Sequence, residues 1–359
     1  MVSIDALTQA SGINIRLQGQ ENVPDQSVLF VVNHFTRLET ILMPYVIRKY
    51  FGKYPLSLAY KGFFDGRLGD VITKLGAVST ADPDRDRRLI NALLTGVNPV
   101  IIFPEGQMIK DKKLVDKGRY IVFNTGGRRP PHTGAGRIAL RSQFIREKLR
   151  LLRERGDTDS IEKLAGHFGF EPSEVDAILQ KETFIVPVNI TYYPVRAEEN
   201  LLSKVADVFL DDLTERAVEE MQVEGSMLTG GVDMDINFGS PIPVQRYIEK
   251  NAGIQRMLSD GKLYLHPGEL KFVRPFKKLY VRIMYEYMDA IYSMTTVNHD
   301  HVFSYILAKY RSDNIREDDF KNRAYLAIEN IRRSGLSNYH ASLDEPQWSL
   351  PADEVHDNC

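Results

Sequence analysis

The sequence contains one cysteine among its 359 residues, and that residue, Cys359, comes last. Disulfide bonds and a four-cysteine zinc site are therefore excluded, and we expect no cysteine nucleophile. No apolar run approaches the roughly 18–20 residues that a membrane-spanning helix needs. Residues 1–5 lack the basic and then apolar plan of a signal peptide. From these absences we expect a cytoplasmic protein that touches a membrane at most peripherally, at its surface.

The chain also has little net charge, −2, because 46 lysines and arginines stand against 48 aspartates and glutamates. No global field attracts a polyanion, so we expect no nucleic-acid partner. Motifs for metal binding are lacking too. His299 and His301 point to opposite sides of a helix and have no third ligand nearby, so surface or helix-end histidines are expected and no metal site.

A dinucleotide fingerprint is present only in part. Residues 134–139 fit the glycine-rich pattern, but residues 128–132 before them predict a loop rather than the strand that the pattern requires. We therefore expect no bound cofactor.

Short apolar runs alternate with helical periodicity over the first 250 residues. This pattern predicts an α/β fold with a mostly parallel central sheet flanked by helices. Pro187 predicts that the fifth strand is an edge or a distorted strand. Asp82 and Pro83 predict a helix start, and Gly96 its end. The predicted strands lie at residues 26–33, 56–60, 76–81, 97–103, 183–192 and 233–238.

The pattern changes near residue 250, which predicts three regions. Residues 1–249 are expected to form the α/β domain, with a helical insert at about 156–182. Residues 250–341 read as a helical appendage at the C-terminal side. Residues 342–359 lack periodicity and predict a flexible tail.

One histidine directly follows a predicted buried strand, where open α/β sheets have their ligand crevice. This is His34, and Glu39 comes five positions later. On one ideal helix the two side chains lie about 140° apart and do not meet. They meet only if His34 lies at the strand exit and Glu39 reaches back from the first helical turn. The carboxylate then fixes the tautomer of a general base; a helix-start histidine beside a solvated acid is the alternative.

A second predicted strand ends in Phe103-Pro104-Glu105-Gly106. Parallel neighbours bring their exits to one edge of a sheet, so Glu105 is expected in the same crevice as His34. Gly106 allows a ligand to approach the backbone closely. Taken alone, Pro-Glu-Gly is an ordinary turn, but the two segments together predict a site.

In this order and spacing the two segments resemble the glycerolipid acyltransferases, which include glycerol-3-phosphate and lysophosphatidate acyltransferases. That family has a histidine, four residues and an acid, then a Phe-Pro-Glu-Gly block, and later a Val-Pro-Val strand, here residues 186–188. The resemblance covers roughly residues 13–245. It implies an acyltransferase of phospholipid biosynthesis in which His34 and Glu39 are catalytic. The substrate-binding residues that it implies are Phe103, Pro104, Glu105, Gly106 and Pro187.

The sequence departs from this family where the acceptor's phosphate is bound. Asp82 stands at the position of an arginine assigned to that phosphate, so Lys61, or Arg85, Arg87 and Arg88 one turn later, are expected to substitute. Glu39 stands where the family usually has aspartate. The resemblance implies an acyl thioester donor, acyl-CoA or acyl carrier protein, and a glycerol-phosphate or lysophospholipid hydroxyl as acceptor. A different lipid alcohol or amine, or a non-catalytic lipid- or acyl-carrier-binding protein of the same fold, stays open.

Positive charge is concentrated in residues 110–153, which carry 13 basic and three acidic side chains. Such a segment suits coenzyme phosphates, an acidic carrier protein or the anionic headgroups of a membrane surface. Solvated arginines outside an apolar helix stripe give the same count.

Overall fold

The computed structural model describes residues 14–36, 39–64, 69, 72–106, 115–116, 119–124, 127–193, 233–265, 274–310, 314–335 and 338–344. The strands are β1 (Asn14–Gln18), β2 (Ser27–Val32), β3 (Leu56–Ala59), β4 (Ala77–Ser79), β5 (Val100–Ile102), β6 (Val115–Asp116), β7 (Arg119–Tyr120), β8 (Val122–Asn124), β9 (Gly127–Arg129), β10 (Thr183–Tyr193), β11 (Asp233–Phe238) and β12 (Ile242–Pro243).

The described helices surround this sheet. They are α1 (Glu39–Phe51), α2 (Arg85–Thr95), α3 (Gly134–Arg155), α4 (Thr158–Phe168), α5 (Val175–Leu179), α6 (Gln245–Glu249), α7 (Ala252–Ser259), α8 (Arg274–Ser293), α9 (His299–Lys309) and α10 (Glu317–Arg333), with short 3₁₀ helices at Gln20–Asn22, Lys61–Phe63, Pro172–Glu174 and Ala341–Asp344. Across the described residues, every helix falls short of the length and apolar character that crossing a bilayer requires.

The central sheet is mixed and mostly parallel, which confirms the predicted α/β class. Its strand order is β1-β11-β10-β2-β5-β3-β4, and β12 pairs with β10. Strands β10, β2, β5, β3 and β4 run parallel, whereas β11 is antiparallel to β10. The carboxyl ends of β2, β5, β3 and β4 therefore meet at one edge, where open sheets of this kind bind ligands.

Both faces of the sheet are buried. Successive side chains of a strand point to opposite faces, so Val28 and Phe30 of β2 alternate with Leu29 and Val31. The first pair packs with α1 in one hydrophobic cluster, and the second pair packs with α2, α3 and α8 in a larger one. This double burial explains why the run is apolar throughout instead of alternating.

Pro187 lies inside the sheet, which corrects the expectation of an edge strand. On one side of β10 it pairs with Val31 of β2. On the other side its carbonyl accepts a hydrogen bond of 2.9 Å from the N–H of Gly239, in the connection between β11 and β12. The N–H and C=O of one strand residue point to the same side, so the missing N–H of proline faces this interruption. The β2–β10 ladder therefore loses no hydrogen bond.

Helix α2 begins two residues later than Asp82 and Pro83 predict. Oδ1 of Asp82 accepts a hydrogen bond of 2.8 Å from the N–H of Asp84, so residues 82–84 form a turn before the helix starts at Arg85. The predicted end at Gly96 is confirmed, since this glycine has a φ of 68° in the left-handed region.

Part of the basic segment is internal to the fold, because α3 lies between the sheet and several other helices. Arg146 is 0% exposed and Lys148 is 2% exposed. Arg146 donates to the carbonyls of Leu93 and Ile178 at 2.6 and 3.0 Å. Nζ of Lys148 lies 2.9 Å from the carbonyl of Leu258. These two cations are therefore neither solvated nor available to a ligand.

The C-terminal helices differ in how they pack. Helix α8 places Phe276, Ile283 and Tyr287 in the larger hydrophobic cluster together with the sheet, whereas α9 and α10 share a small separate cluster. The proposed division at residues 249 and 250 stays a prediction. Residues 342–344 differ from the expected tail, since they end a 3₁₀ helix in which Leu343 is fully buried. Residues 345–359 lie outside the described part of the chain.

Candidate active site

His34 and Glu39 are in direct contact. Strand β2 ends at Val32 and helix α1 begins at Glu39, so His34 lies off the helix, at the strand exit. Its Nδ1 is 2.7 Å from Oε2 of Glu39. The imidazole is 9% exposed and the carboxylate is 0% exposed. The predicted arrangement, a histidine at the exit and an acid reaching back from the first turn, is confirmed; the catalytic roles stay predictions.

The carboxylate of Glu39 accepts hydrogen bonds from three further donors besides its contact with His34. It accepts hydrogen bonds from the N–H of Phe35 at 2.9 Å, from the N–H of Thr36 at 3.1 Å and from the hydroxyl of Tyr192 at 3.0 Å. The glutamate side chain is long enough to reach back over four residues to these amides.

This network determines the tautomer of His34. A carboxylate accepts hydrogen bonds, so Nδ1 of His34 is the donor, and in the neutral imidazole Nε2 then carries the lone pair. Nε2 makes no hydrogen bond to any residue that the structure describes. A histidine in this state can take a proton from a substrate at Nε2.

Asn33 links the histidine loop to the neighbouring strand. Its Nδ2 donates to the carbonyl of Ile190 at 2.9 Å, and its Oδ1 accepts from the N–H of the same residue at 2.7 Å. The side chain thus extends the β2–β10 pairing past the end of β2. This extension brings Tyr192 alongside Glu39.

The second predicted segment converges on the first. Strands β2 and β5 pair in parallel, with Leu29 opposite Val100 and Val31 opposite Ile102, and continuing this register sets His34 level with Glu105. The ring of Phe103 stacks on the imidazole of His34, with centroids 4.5 Å apart and an interplanar angle of 30°. The two loops therefore share one edge of the sheet.

Glu105 is 0% exposed and has one free oxygen. The hydroxyl of Tyr292, on α8, donates to Oε1 at 2.7 Å, whereas buried Oε2 has no hydrogen-bond partner among the described residues. Burial raises the pKa of this carboxyl to about 7, although the Tyr292 hydrogen bond and the nearby His34 act in the opposite direction. Near neutral pH the group is therefore divided between its acid and its carboxylate.

The turn around Gly106 is clamped by residues 129–132. The N–H of His132 donates to the carbonyl of Pro104 at 2.8 Å, and Nη2 of Arg129 donates to the carbonyl of Glu105 at 2.5 Å. Gly106 has a φ of 64°, and a Cβ there would lie 2.5 Å from the His132 ring. The close approach that requires glycine is thus made by His132, and ligand contact at Gly106 stays a prediction.

The predicted phosphate-binding cations occupy unequal positions. Lys61 follows β3, the neighbour of β5, and is exposed without an ion pair to any described residue. Arg85 follows the outermost strand, β4; its Nε lies 3.3 Å from Asp86 and its Nη1 donates to the carbonyl of Thr80. Both cations therefore follow strands that end at the edge carrying Glu105. Lys61 lies next to β5 and is unpaired among the described residues, whereas Arg85 lies at the outermost strand and is already engaged.

The carboxylate that replaces the family's arginine is itself neutralised. Oδ2 of Asp82 lies 2.9 Å from Nη1 of Arg88. The hydrogen bond from Asp84 N–H and this arginine hold the pKa of Asp82 below its usual value. Pro187, also predicted to bind substrate, is buried within β10 opposite Val31 of β2, and its substrate-binding role stays a prediction.

Several residues of the site were not predicted from the sequence: Asn33, Tyr192, Arg129 and Tyr292. Tyr192 is the last residue of the predicted strand at 183–192, so pairing this strand with the one at 26–33 would have indicated its position. Arg129 and Tyr292 carried no motif. Among the described residues no group of histidine, cysteine and acidic side chains is arranged to hold a metal ion. His301 caps the N-terminus of α9 with Asn298, and His299 is buried beside Tyr193.

The segment that carries these residues is similar to a known protein family. Residues 14–149 match the family model described as Acyltransferase, and this segment contains His34, Glu39 and Glu105. The match confirms, for that segment, the resemblance predicted from the sequence: it is an acyltransferase-family region.

A solved structure with some likeness is that of the 1-acyl-sn-glycerophosphate (LPA) acyltransferase PlsC from Thermotoga maritima. It is 13% identical, the alignment covers 80% of this chain and 83% of that chain, and the TM-score is 0.32. At this TM-score the likeness establishes neither the fold nor the activity of the present chain. No curated protein matches the sequence.

Proposed function

We propose that this protein transfers a fatty acyl group from a thioester to the hydroxyl of a glycerol phosphate or lysophospholipid, with His34 as general base. One observation carries the proposal. The Nδ1 of His34 is held 2.7 Å from a buried carboxylate, while its Nε2 makes no hydrogen bond to any described residue.

The reaction needs one base and no acyl-enzyme, because a thioester is already activated. Nε2 of His34 takes the proton of the acceptor hydroxyl as its oxygen attacks the thioester carbonyl. The carbon–sulfur bond then breaks, and the leaving thiolate takes a proton from the imidazolium. Glu39 stabilises that imidazolium, and a positioned base of this kind contributes about 10²–10⁴ in rate.

The donor in this proposal is acyl-CoA or an acyl carrier protein, acting as co-substrate. Exposed cations near the site suit the phosphates of either donor. A lysophospholipid acceptor comes from a membrane surface, which the protein visits from the cytoplasm as a peripheral protein, whereas glycerol phosphate comes from solution.

Two cations are the best candidates for the acceptor's phosphate. Lys61 is unpaired within the described part of the chain, and Arg129 lies against the Glu105 turn, held by carbonyls and by no described carboxylate. Arginine and lysine both recognise phosphate well.

A second candidate acceptor is a lipid alcohol or amine without phosphate. It is favoured by one observation: the position of the family's phosphate-binding arginine is taken by Asp82, which already pairs with Arg88.

A purified-protein assay tests the proposal. Acyl-CoA and acyl carrier protein donors are each combined with glycerol 3-phosphate, lysophosphatidate, monoacylglycerol and an aminoalcohol, and the acyl product is quantified. We expect transfer by the wild type and loss of transfer in His34→Ala. His167→Ala, the same change on α4 away from the site, is the matched control and should keep the activity. Full activity of His34→Ala on the accepted substrate would refute the mechanism, and inactivity of the wild type with every pair would favour the non-catalytic lipid- or acyl-carrier-binding alternative.

A further inference from the structure

Helix α8 reaches the catalytic loops, although it lies in the segment that the sequence sets apart as an appendage. The hydroxyl of Tyr292 donates to Oε1 of Glu105 at 2.7 Å. One and a half turns earlier, the hydroxyl of Tyr287 donates to the carbonyl of His132 at 2.9 Å. The N–H of His132 in turn holds the carbonyl of Pro104 at 2.8 Å. The loop that carries Glu105 is therefore fixed by α8 both directly and through His132.

Tyr292 is itself held in place. Its ring stacks on that of Tyr120, with centroids 6.1 Å apart and an interplanar angle of 25°. The hydroxyl of Tyr120 donates to Oδ1 of Asp289, three residues before Tyr292 on α8, at 2.7 Å. Burial and the neighbouring Glu105 raise the pKa of Tyr292, so its phenol stays protonated and remains a donor. These contacts leave the Tyr292 hydroxyl one direction of donation, towards Glu105.

We propose that Tyr292 is a positioning residue of the acceptor site, which fixes Oε1 of Glu105 so that Oε2 accepts a hydrogen bond from the acceptor hydroxyl. The C-terminal segment then completes the site instead of being appended to it. This inference rests on the proposed function, because it takes the acceptor to be a glycerol phosphate or lysophospholipid.

The free oxygen is the observation that points to a ligand. Oε2 of Glu105 is fully buried and has no partner among the described residues. A buried acceptor atom without a hydrogen bond is costly, and such atoms in native proteins usually meet an ordered water, an ion or a ligand. A hydroxyl that His34 deprotonates must lie near the same edge of the sheet. Its O–H can therefore turn from Oε2 to Nε2 of His34 as transfer begins.

Because Oε1 accepts from Tyr292, the proton of the acid form lies on Oε2, so Oε2 is free to accept from the acceptor hydroxyl in the carboxylate form of Glu105. The groups that act on its charge come from every element around it: His34 from the β2 exit, Glu39 from α1, Tyr287 and Tyr292 from α8, and Arg129 from β9. The Tyr292 hydrogen bond lowers the pKa of Glu105, whereas burial and Glu39 raise it. Removing the hydroxyl therefore raises this pKa, and the carboxylate form is then reached only at higher pH.

The test is acceptor binding by Tyr292→Phe, which keeps the stacked ring and removes the donor. Calorimetry with lysophosphatidate and glycerol 3-phosphate needs no turnover. We expect the Kd of the acceptor that binds the wild type to rise about 10-fold at neutral pH, the scale of a hydrogen bond to a charged group. The pH at which binding weakens should also move upward. Tyr285→Phe removes a hydroxyl from the same helix that bonds to no described residue, and should change neither quantity.

A double-mutant cycle shows whether Tyr292 acts through Glu105. In a Glu105→Gln background, Tyr292→Phe should add less than a 2-fold change in Kd, because the carboxylate it fixes is absent. An unchanged Kd and pH profile in Tyr292→Phe would overturn the inference, and so would a wild type that binds neither acceptor. A wild type that binds but transfers no acyl group, with the expected Tyr292→Phe effect on Kd, would reject the proposed reaction and keep this assignment.

Discussion

The imidazole of His34 stacks on the ring of Phe103, with 4.5 Å between their centroids. This contact joins the two loops whose convergence defines the site, since one follows β2 and the other follows β5. Glu39 fixes the ring at Nδ1 but leaves rotation about that hydrogen bond, and Phe103 limits it. The stack and the hydrogen bond together orient Nε2.

Phe103→Leu should therefore lower kcat clearly while changing the free energy of unfolding little. Leucine keeps the apolar volume but loses the flat surface under the imidazole, and misplacing a catalytic group by about 1 Å can cost up to 10²-fold in rate. We expect a decrease in kcat of about 10-fold. Phe144→Leu, in the cluster on the opposite face, is the control and should lower the melting temperature without this loss. Equal effects of both variants on kcat would contradict the role of the stack.

Glu39→Gln should be more damaging than Glu39→Asp. A glutamine presents one oxygen and an amide that donates, so it clashes with the amides of Phe35 and Thr36 or reverses the tautomer of His34. We expect kcat to fall about 10²- to 10⁴-fold, the range seen when a catalytic histidine loses its orienting acid. Aspartate keeps the charge but not the reach, so it should retain part of the activity. Steady-state kinetics with the preferred substrate pair measure both, and near wild-type turnover in Glu39→Gln would disprove the assignment.

Glu105 should make stability depend on pH in a defined direction. Its pKa rises from 4.5 to about 7 on folding, so the folded state favours the protonated form. The stability that this group contributes is complete below its unfolded pKa and is lost as the pH rises through the folded value. From a pH below 4.5 to a pH above 7, the free energy of unfolding therefore falls by about 3 kcal/mol.

Urea unfolding of Glu105→Gln and of the wild type at pH 5 and pH 8 measures this effect. Relative to the wild type, the neutral variant should gain about 3 kcal/mol in free energy of unfolding at pH 8 compared with pH 5. A constant difference between the two proteins at both pH values would mean that Glu105 is not the buried titrating group.

Replacing single cations should show whether the acceptor's phosphate is bound near Lys61 or at the start of α2, where Arg85 lies. Lys61→Ala is expected to raise KM for a phosphorylated acceptor about 10-fold, with little change for monoacylglycerol. Arg129→Gln also removes the hydrogen bond to the Glu105 carbonyl, so it should raise KM for both acceptors, and more for the phosphorylated one. Arg85→Ala should not discriminate between the two acceptors, because its charge already faces Asp86. A discriminating effect of Arg85 alone would move the phosphate to the β4 side of the sheet.

The central features of the site were predictable because their signals are local. The run of Val28 to Val32 is apolar on both faces, which predicts a buried parallel strand, and His34 follows it directly. Glu39 was predicted from its spacing to His34, and the Phe103–Gly106 turn from the rule that parallel neighbours end at one edge. The resemblance to the glycerolipid acyltransferases joined the two segments into one predicted site.

Other residues escaped prediction because their roles depend on distant parts of the chain. Tyr292 belongs to an aromatic-rich helix whose periodicity predicts only burial, and nothing in it indicates contact with Glu105, which is 187 positions away. The prediction of an edge strand at Pro187 was wrong for a related reason. The connection between β11 and β12, which accommodates the proline, is about 50 positions away in the chain. The sequence does not distinguish accessible from buried cations within residues 110–153, and Arg146 donates to carbonyls inside the fold.

Arg146→Met should destabilise the protein severely without touching the chemistry. The guanidinium is fully buried and satisfies the carbonyls of Leu93 and Ile178 and the hydroxyl of Thr183, thereby tying α2, α5 and β10 to α3. Methionine fills much of the volume but leaves these acceptors without donors, at a cost of about 3–5 kcal/mol in free energy of unfolding. Arg153→Met, on the same helix but exposed and paired with Asp176, should cost less than about 1 kcal/mol. Chemical denaturation compares the two, and a similar small loss in both would mean that the buried arginine is dispensable to the fold.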